Sequence, residues 1–235
     1  MKRIYNLDKL RGFTIISMVL FHLTYNINFY RPISWYDGTL TNKIWQLSIA
    51  ISFFIISGIT SSLLSSKENI KRGIKTSLVG FLISLATYIF AKDQLIIWGV
   101  MNGLGISMIL TGLFQRYLKE IPDFFGLVFI LLFVISYNIP NGSLLSFDFF
   151  DRLYQNNLYP LGFPAKNFRS SDYFPTIPWL FSYLSGFCLG GYLKDKNFFD
   201  LYGKDNLLAK IGRYAMPIYL IHQVILYPLV SLFFN

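Results

Sequence analysis

Residues 12–31 read GFTIISMVLFHLTYNINFYR, an apolar run broken by a single histidine, His22, and trailing into asparagines. It is about as long as the helix of roughly 20 residues needed to cross the hydrocarbon core of a bilayer. Six further blocks of the same character follow, at 44–65, 73–91, 95–115, 123–139, 173–193 and 214–234. Inside a membrane every backbone polar group needs an internal partner, so each block predicts a helix. The blocks are too long and too continuously apolar for barrel strands of about ten alternating residues. The expected fold is therefore all-α: a polytopic membrane helix bundle of about seven transmembrane helices. The shortest block, 123–139, follows Pro122.

The composition agrees. Of 235 residues, 54% are apolar, 19% aromatic and only 14% charged, where an ordinary globular domain carries about 25% charged residues. Between the blocks no stretch reaches the length of about fifty residues from which a separate soluble domain could be built. One membrane-embedded domain over residues 1–235 is expected. The single cysteine, Cys188, excludes an internal disulfide and a cysteine metal cluster. Lying between Gly186 and Gly190, it reads as a small buried hydrophobe. No metal is expected.

Charge supplies the direction. With the N-terminus in the cytoplasm, 15 of the 21 Lys and Arg fall on cytoplasmic segments, leaving Arg31, Lys43, Lys92, Arg152, Lys166 and Arg169 outside. Cytoplasmic loops carry such an excess, so the expected topology is N-in and C-out. Deleting the span at 123–139 would put the five basic residues of 194–213 outside, which argues for keeping it. The net charge of +9 thus reflects topology, and no nucleic-acid partner is expected. The first span follows basic residues, as a signal peptide would, but lacks a small-x-small cleavage site and is expected to be retained. The predicted location is a cell membrane, crossed several times. The longest connection, 139–172, mixes Pro, Gly and aromatics, and could cap a cavity or lie along the membrane surface.

Ionisable groups at membrane depth are costly and commonly face a cavity or a partner. The chain has two histidines, His22 and His222, and both fall near the middle of a block. Arg11 precedes His22 by eleven residues, and eleven helical steps return to within about 20° of the starting azimuth while rising about 16 Å. Arg11 at the cytoplasmic mouth and His22 at mid-depth therefore share a face, which Asp8, Tyr25 and Asn26 extend. Asp8 stands three residues before Arg11, within pairing distance on a helix. Imidazole titrates near neutrality, so His22 could take a proton from an attacking group and return it to a leaving thiol. A membrane histidine also serves as hydrogen-bonding glue between helices, and that reading is slightly favoured for His222, with Tyr219 and Gln223 beside it. Ser57-Gly58-Ile59-Thr60, Gly103-Leu104-Gly105 and the Gly186/Gly190 pair read as close helix contacts. Asp172, at the outer start of the sixth block, is a candidate contact for a polar acceptor. No phosphate-binding GxxxxGK[ST], no HExxH, no GxSxG and no paired carboxylates within a block are present.

Leu7-Asp8-Lys9-Leu10-Arg11-Gly12 followed by Val19-Leu20-Phe21-His22 resembles the first-helix signature of transmembrane acyltransferases. Four further stretches are similar to the bacterial branch of the heparan-alpha-glucosaminide N-acetyltransferase catalytic-domain family: Phe53 to Gly58, Trp98 to Ser107, Ser171 to Pro175 with Pro178-Trp179, and Ile211 to Gln223. The resemblance spans nearly the whole chain. It implies an acyl-CoA co-substrate, acetyl-CoA foremost, arriving from the cytoplasm, and a glycan or lipid-linked sugar acceptor of the cell envelope. It makes His22 the base or transient acyl carrier and gives Arg11 an orienting or phosphate-contacting role. Asp8, Asn26, His222, Asn102 and Asp172 become supporting residues. Asn102 stands where many relatives have histidine, and the histidine that lysosomal animal members place after the first helix has no counterpart. Lys9, Lys71, Arg72 and Lys75 form a basic rim suited to the donor's phosphates. The rival expectations are a transporter or flippase for a lipid-linked glycan, and a helper subunit whose polar groups only hold helices together. The acyl group, the acceptor, O- against N-acylation and any homo-oligomer stay open.

Overall fold

The computed structural model describes residues 3–142, 148–200 and 203–234. Among these residues the chain is all-helical without strands, the nearest approach to one being a lone antiparallel bridge between Leu158 and Phe163. The helices are α1 (Tyr5–Tyr30), α2 (Leu40–Ser62), α3 (Ser66–Phe90), α4 (Val100–Leu118), α5 (Phe125–Ser136), α6 (Asp148–Gln155), α7 (Thr176–Asp195), α8 (Leu207–Arg213) and α9 (Ala215–Phe234). Each of the seven apolar blocks lies largely within a helix. By length and composition, α2, α3 and α9 are long and apolar enough to cross a membrane. Their outer faces carry large apolar side chains, such as Leu82, Leu85 and Phe90 on α3 and Val224 and Leu232 on α9. Apolar surface on that scale marks contact with something other than water.

Local signals explain where helices begin. Ser65 accepts from the Glu68 amide while its own amide donates to the Glu68 carboxylate at 2.8 Å, a capping box that starts α3 well ahead of its apolar block. Asn206 caps α8 by accepting from the Ala209 amide at 2.9 Å. α5 has only 12 helical residues, short of the roughly 20 that a perpendicular crossing takes.

The chain divides into two compact units, one comprising residues 1–56 and 197–235, the other residues 57–196. The boundary falls inside α2. In the first unit α1 packs on α8 and α9. Ile15, Met18, Phe21, Tyr36 and Ile49 form its buried core, with Trp45, Ile211, Ile218 and Tyr219 packed around it. Gly12 and Gly212 let α1 and α8 touch backbone to backbone. A methyl group on Gly212 would run into the Asp8 carbonyl and lie 2.8 Å from the Gly12 amide nitrogen. Gly212→Ala is therefore expected to cost about 1–3 kcal/mol through overpacking, read as a lowered midpoint of thermal unfolding in detergent.

In the second unit α3 packs along α4, and α7 against α4 and α5. The small residues singled out in the sequence sit where helices approach closely, Gly58 and Gly190 between α2 and α7, and Gly105 between α4 and α3. A methyl on Gly58 would meet the Tyr183 carbonyl and the Phe187 amide nitrogen, and one on Gly105 would lie 2.7 Å from the Ser77 amide nitrogen. Cys188 is buried in α7. A buried hydrogen-bond network closes this end of the unit. Asn69 donates to the Ser61 carbonyl at 2.9 Å, the Ser61 hydroxyl donates to Asn69 Oδ1 at 2.6 Å and lies 2.7 Å from the Tyr183 hydroxyl, and Gln115 donates to the Leu64 carbonyl at 2.7 Å.

Candidate active site

α1 runs unbroken from Tyr5 to Tyr30, so Arg11 and His22, eleven residues apart, lie within about 20° of one azimuth. At its start Asp8 is buried and both its carboxylate oxygens are engaged, Oδ1 by Arg11 and Oδ2 by Arg3, each at 2.8 Å. The Asp8–Arg11 pair expected from spacing is present. Lys9 donates to Asn6 Oδ1 at 3.3 Å.

Deeper along α1, two helices converge on one another's polar groups. Gln223 of α9 lies with Nε2 3.1 Å from His22 Nδ1, and its Oε1 accepts from Asn26 at 3.0 Å. The His22 and His222 rings stand 4.8 Å apart between centroids. Phe21 packs edge-on against His22, and its carbonyl accepts from the Tyr36 hydroxyl at 3.1 Å. His22, Asn26, His222 and Gln223 therefore form one cluster, in which Gln223, in sequence only a polar neighbour of His222, is the link between the helices. Tyr25, placed on the same face, is exposed instead.

The remaining candidates belong to the second unit. Asn102 is buried where α4 meets α3, and its Oδ1 has no partner in the protein. Asp172 accepts from the Val100 amide at 3.1 Å, at the first turn of α4, where carboxylates are favoured. The surrounding chain holds it there. The Ile97 amide donates to the Ser170 hydroxyl at 2.9 Å, and the Phe174 amide to the Trp98 carbonyl at 2.9 Å. Trp98 itself has a φ of 61°, a left-handed conformation uncommon outside glycine. Asp172 is thus a structural contact of α4 in this unit.

Burial of the Asp172 carboxyl raises its pKa to about 6, against the lowering effect of the Val100 hydrogen bond. A carboxyl whose folded pKa is raised binds its proton more tightly in the folded state. Its contribution to stability is thus fullest below the unfolded value and declines as pH rises through about 6. Asp172→Asn, which keeps an acceptor for Val100, is expected to flatten this component of the melting-temperature profile between about pH 4 and 7.

On α3, Lys71 and Lys75 are exposed and Arg72 is half-buried. Its Nη1 is buried without a partner in the protein. Among the described residues no group of three His, Cys, Asp or Glu is gathered to hold a metal ion.

A chain that is all-helical among the described residues, with membrane-length apolar helices and an imidazole–amide cluster where α1 meets α9, is a helical membrane protein with a polar site between helices. Residues 3–224 match the family model described as "Heparan-alpha-glucosaminide N-acetyltransferase, catalytic", and the chain belongs to that family. Neither the comparison with curated proteins nor that with solved structures finds a match.

Proposed function

We propose that this chain is a multi-pass membrane acyltransferase, one domain in the bacterial cytoplasmic membrane, N-in and C-out. It moves an acyl group, acetyl foremost, from cytoplasmic acyl-CoA to a sugar-containing acceptor of the cell envelope. Membership of an acetyltransferase family along nearly the whole chain supports the reaction class. The observation that carries the site is the His22–Gln223–Asn26 chain, with His222 beside it. Thioester transfer needs one group to accept the nucleophile's proton and another to hold the carbonyl oxygen, and two imidazoles, His22 fixed by the Gln223 amide and His222 by the Tyr219 carbonyl, supply both.

Arg11, fixed by Asp8, sits on the donor's side of the same face and steadies the helix mouth. Arg72 is the strongest candidate for a donor phosphate, because a buried guanidinium nitrogen with no protein partner is completed by an anionic ligand. Lys9, Lys71 and Lys75 add charge for the phosphates. Asn102 and Asp172 are supporting residues, Asp172 holding the start of α4 through the Val100 amide. The test is turnover of acetyl-CoA by the purified protein with an amino-sugar or glycan acceptor, alongside His22→Ala. Acceptor acetylation by the wild type and its loss in the variant are expected. Transport of an unaltered glycan across vesicles without acetyl-CoA would replace this reading by that of a flippase.

A further inference from the structure

The two histidines of the cluster differ in which ring nitrogen is occupied. His222 Nδ1 lies 2.6 Å from the Tyr219 carbonyl oxygen. A carbonyl only accepts, so Nδ1 carries the ring proton. The lone pair of the neutral ring is then on Nε2, which is buried and has no partner in the protein. Leaving such an acceptor unmade costs about 1–3 kcal/mol, a cost removed when a ligand donates to it. His22 is held the other way round. Asn26 donates to Gln223 Oε1, which turns the Gln223 amide N–H toward His22 Nδ1 at 3.1 Å. Nδ1 of His22 is thus the acceptor, and its ring proton is on Nε2.

We propose that His222, through Nε2, is the base of the transfer, with His22 as the Nε2–H donor beside it; this deepens the acyltransferase reading and rests on it. The acceptor's O–H or N–H yields its proton to His222 Nε2 while the oxygen or nitrogen bonds to the thioester carbonyl carbon. The His22 N–H holds the carbonyl oxygen as it gains charge. Collapse of the tetrahedral species breaks the carbon–sulfur bond, and His222 returns the proton to the departing thiolate. The products are the acylated acceptor and the free thiol of CoA, with both rings neutral again.

The experiment pairs kinetics with tautomer assignment on the full chain in lipid nanodiscs. His222→Asn retains a side-chain N–H for the Tyr219 carbonyl but removes the basic nitrogen. It is expected to lower kcat for acetyl transfer by about 100-fold or more, with KM for acetyl-CoA and the melting temperature close to wild type. Nitrogen-15 spectra of histidine-labelled wild type should show His222 protonated at Nδ1 and His22 at Nε2. The tautomers are read whether or not the variant folds. A His222 ring protonated at Nε2 overturns the proposal. So does a folded His222→Asn protein within threefold of wild-type kcat, an outcome that leaves acyl transfer itself standing. A wild type inert toward acyl-CoA overturns the acyltransferase reading and this role together.

Discussion

His22→Ala is expected to lower acetyl-CoA-dependent transfer by about 100- to 10,000-fold, the usual range for a group that moves or holds a proton at the reacting centre. The substitution removes the ring beside His222 and leaves the Gln223 N–H that faced it without that partner. It therefore also carries a structural cost of about 1–3 kcal/mol. The two effects separate when kcat is normalised to the folded fraction and compared with Asn26→Ala. Asn26→Ala breaks the outer link of the same chain while leaving both rings in place. A purely structural cluster would give the two variants similar losses of melting temperature and unchanged kcat per folded molecule.

Arg72→Met should raise KM for acetyl-CoA by roughly 10- to 100-fold with kcat little changed, because hydrogen bonds to charged groups contribute about 1.5–3 kcal/mol. Methionine keeps the aliphatic stem and removes the charge. In the absence of donor the variant should melt at the wild-type temperature or above it, since a buried guanidinium nitrogen without a hydrogen-bond partner is itself destabilising. Lys71→Met and Lys75→Met, at exposed positions, should each change KM by no more than a few-fold. The measurement is steady-state kinetics against acetyl-CoA together with thermal unfolding of each variant. Equal, small effects at all three positions would return Arg72 to the diffuse basic rim inferred from the sequence.

The helical blocks were legible because a bilayer-length apolar run leaves the backbone little choice but helix. Their beginnings were less so. α3 starts at Ser66, seven residues before its apolar block, and the Ser65-x-x-Glu68 spacing is the signal that could have placed it. That shift carries Asn69 from an expected loop into a buried network, and half-buries Arg72 with its Nη1 out of solvent. α8 is a single short helix, set by an Asn cap and a glycine contact too brief for any periodicity to announce. Arg11, Asp8 and His22 could be related from the sequence because they lie on one helix, where azimuth follows from counting. The meeting of His22 with Gln223 joins residues 201 apart, and its only trace in the sequence was a polar spot at the middle of the last block. The choice between the two histidines depends on which carbonyl or amide each ring faces, and spacing carries no information about that.

The most direct test of the central claim is the mass balance of one reaction. Purified protein in sealed vesicles is given acetyl-CoA on the face of its N-terminus and a glucosaminide-containing acceptor on the other, and both are followed by mass spectrometry. Acyl transfer predicts acetylated acceptor and free CoA thiol appearing in equal amounts, on opposite sides of the membrane. Unmodified acceptor crossing the membrane with acetyl-CoA intact would contradict it.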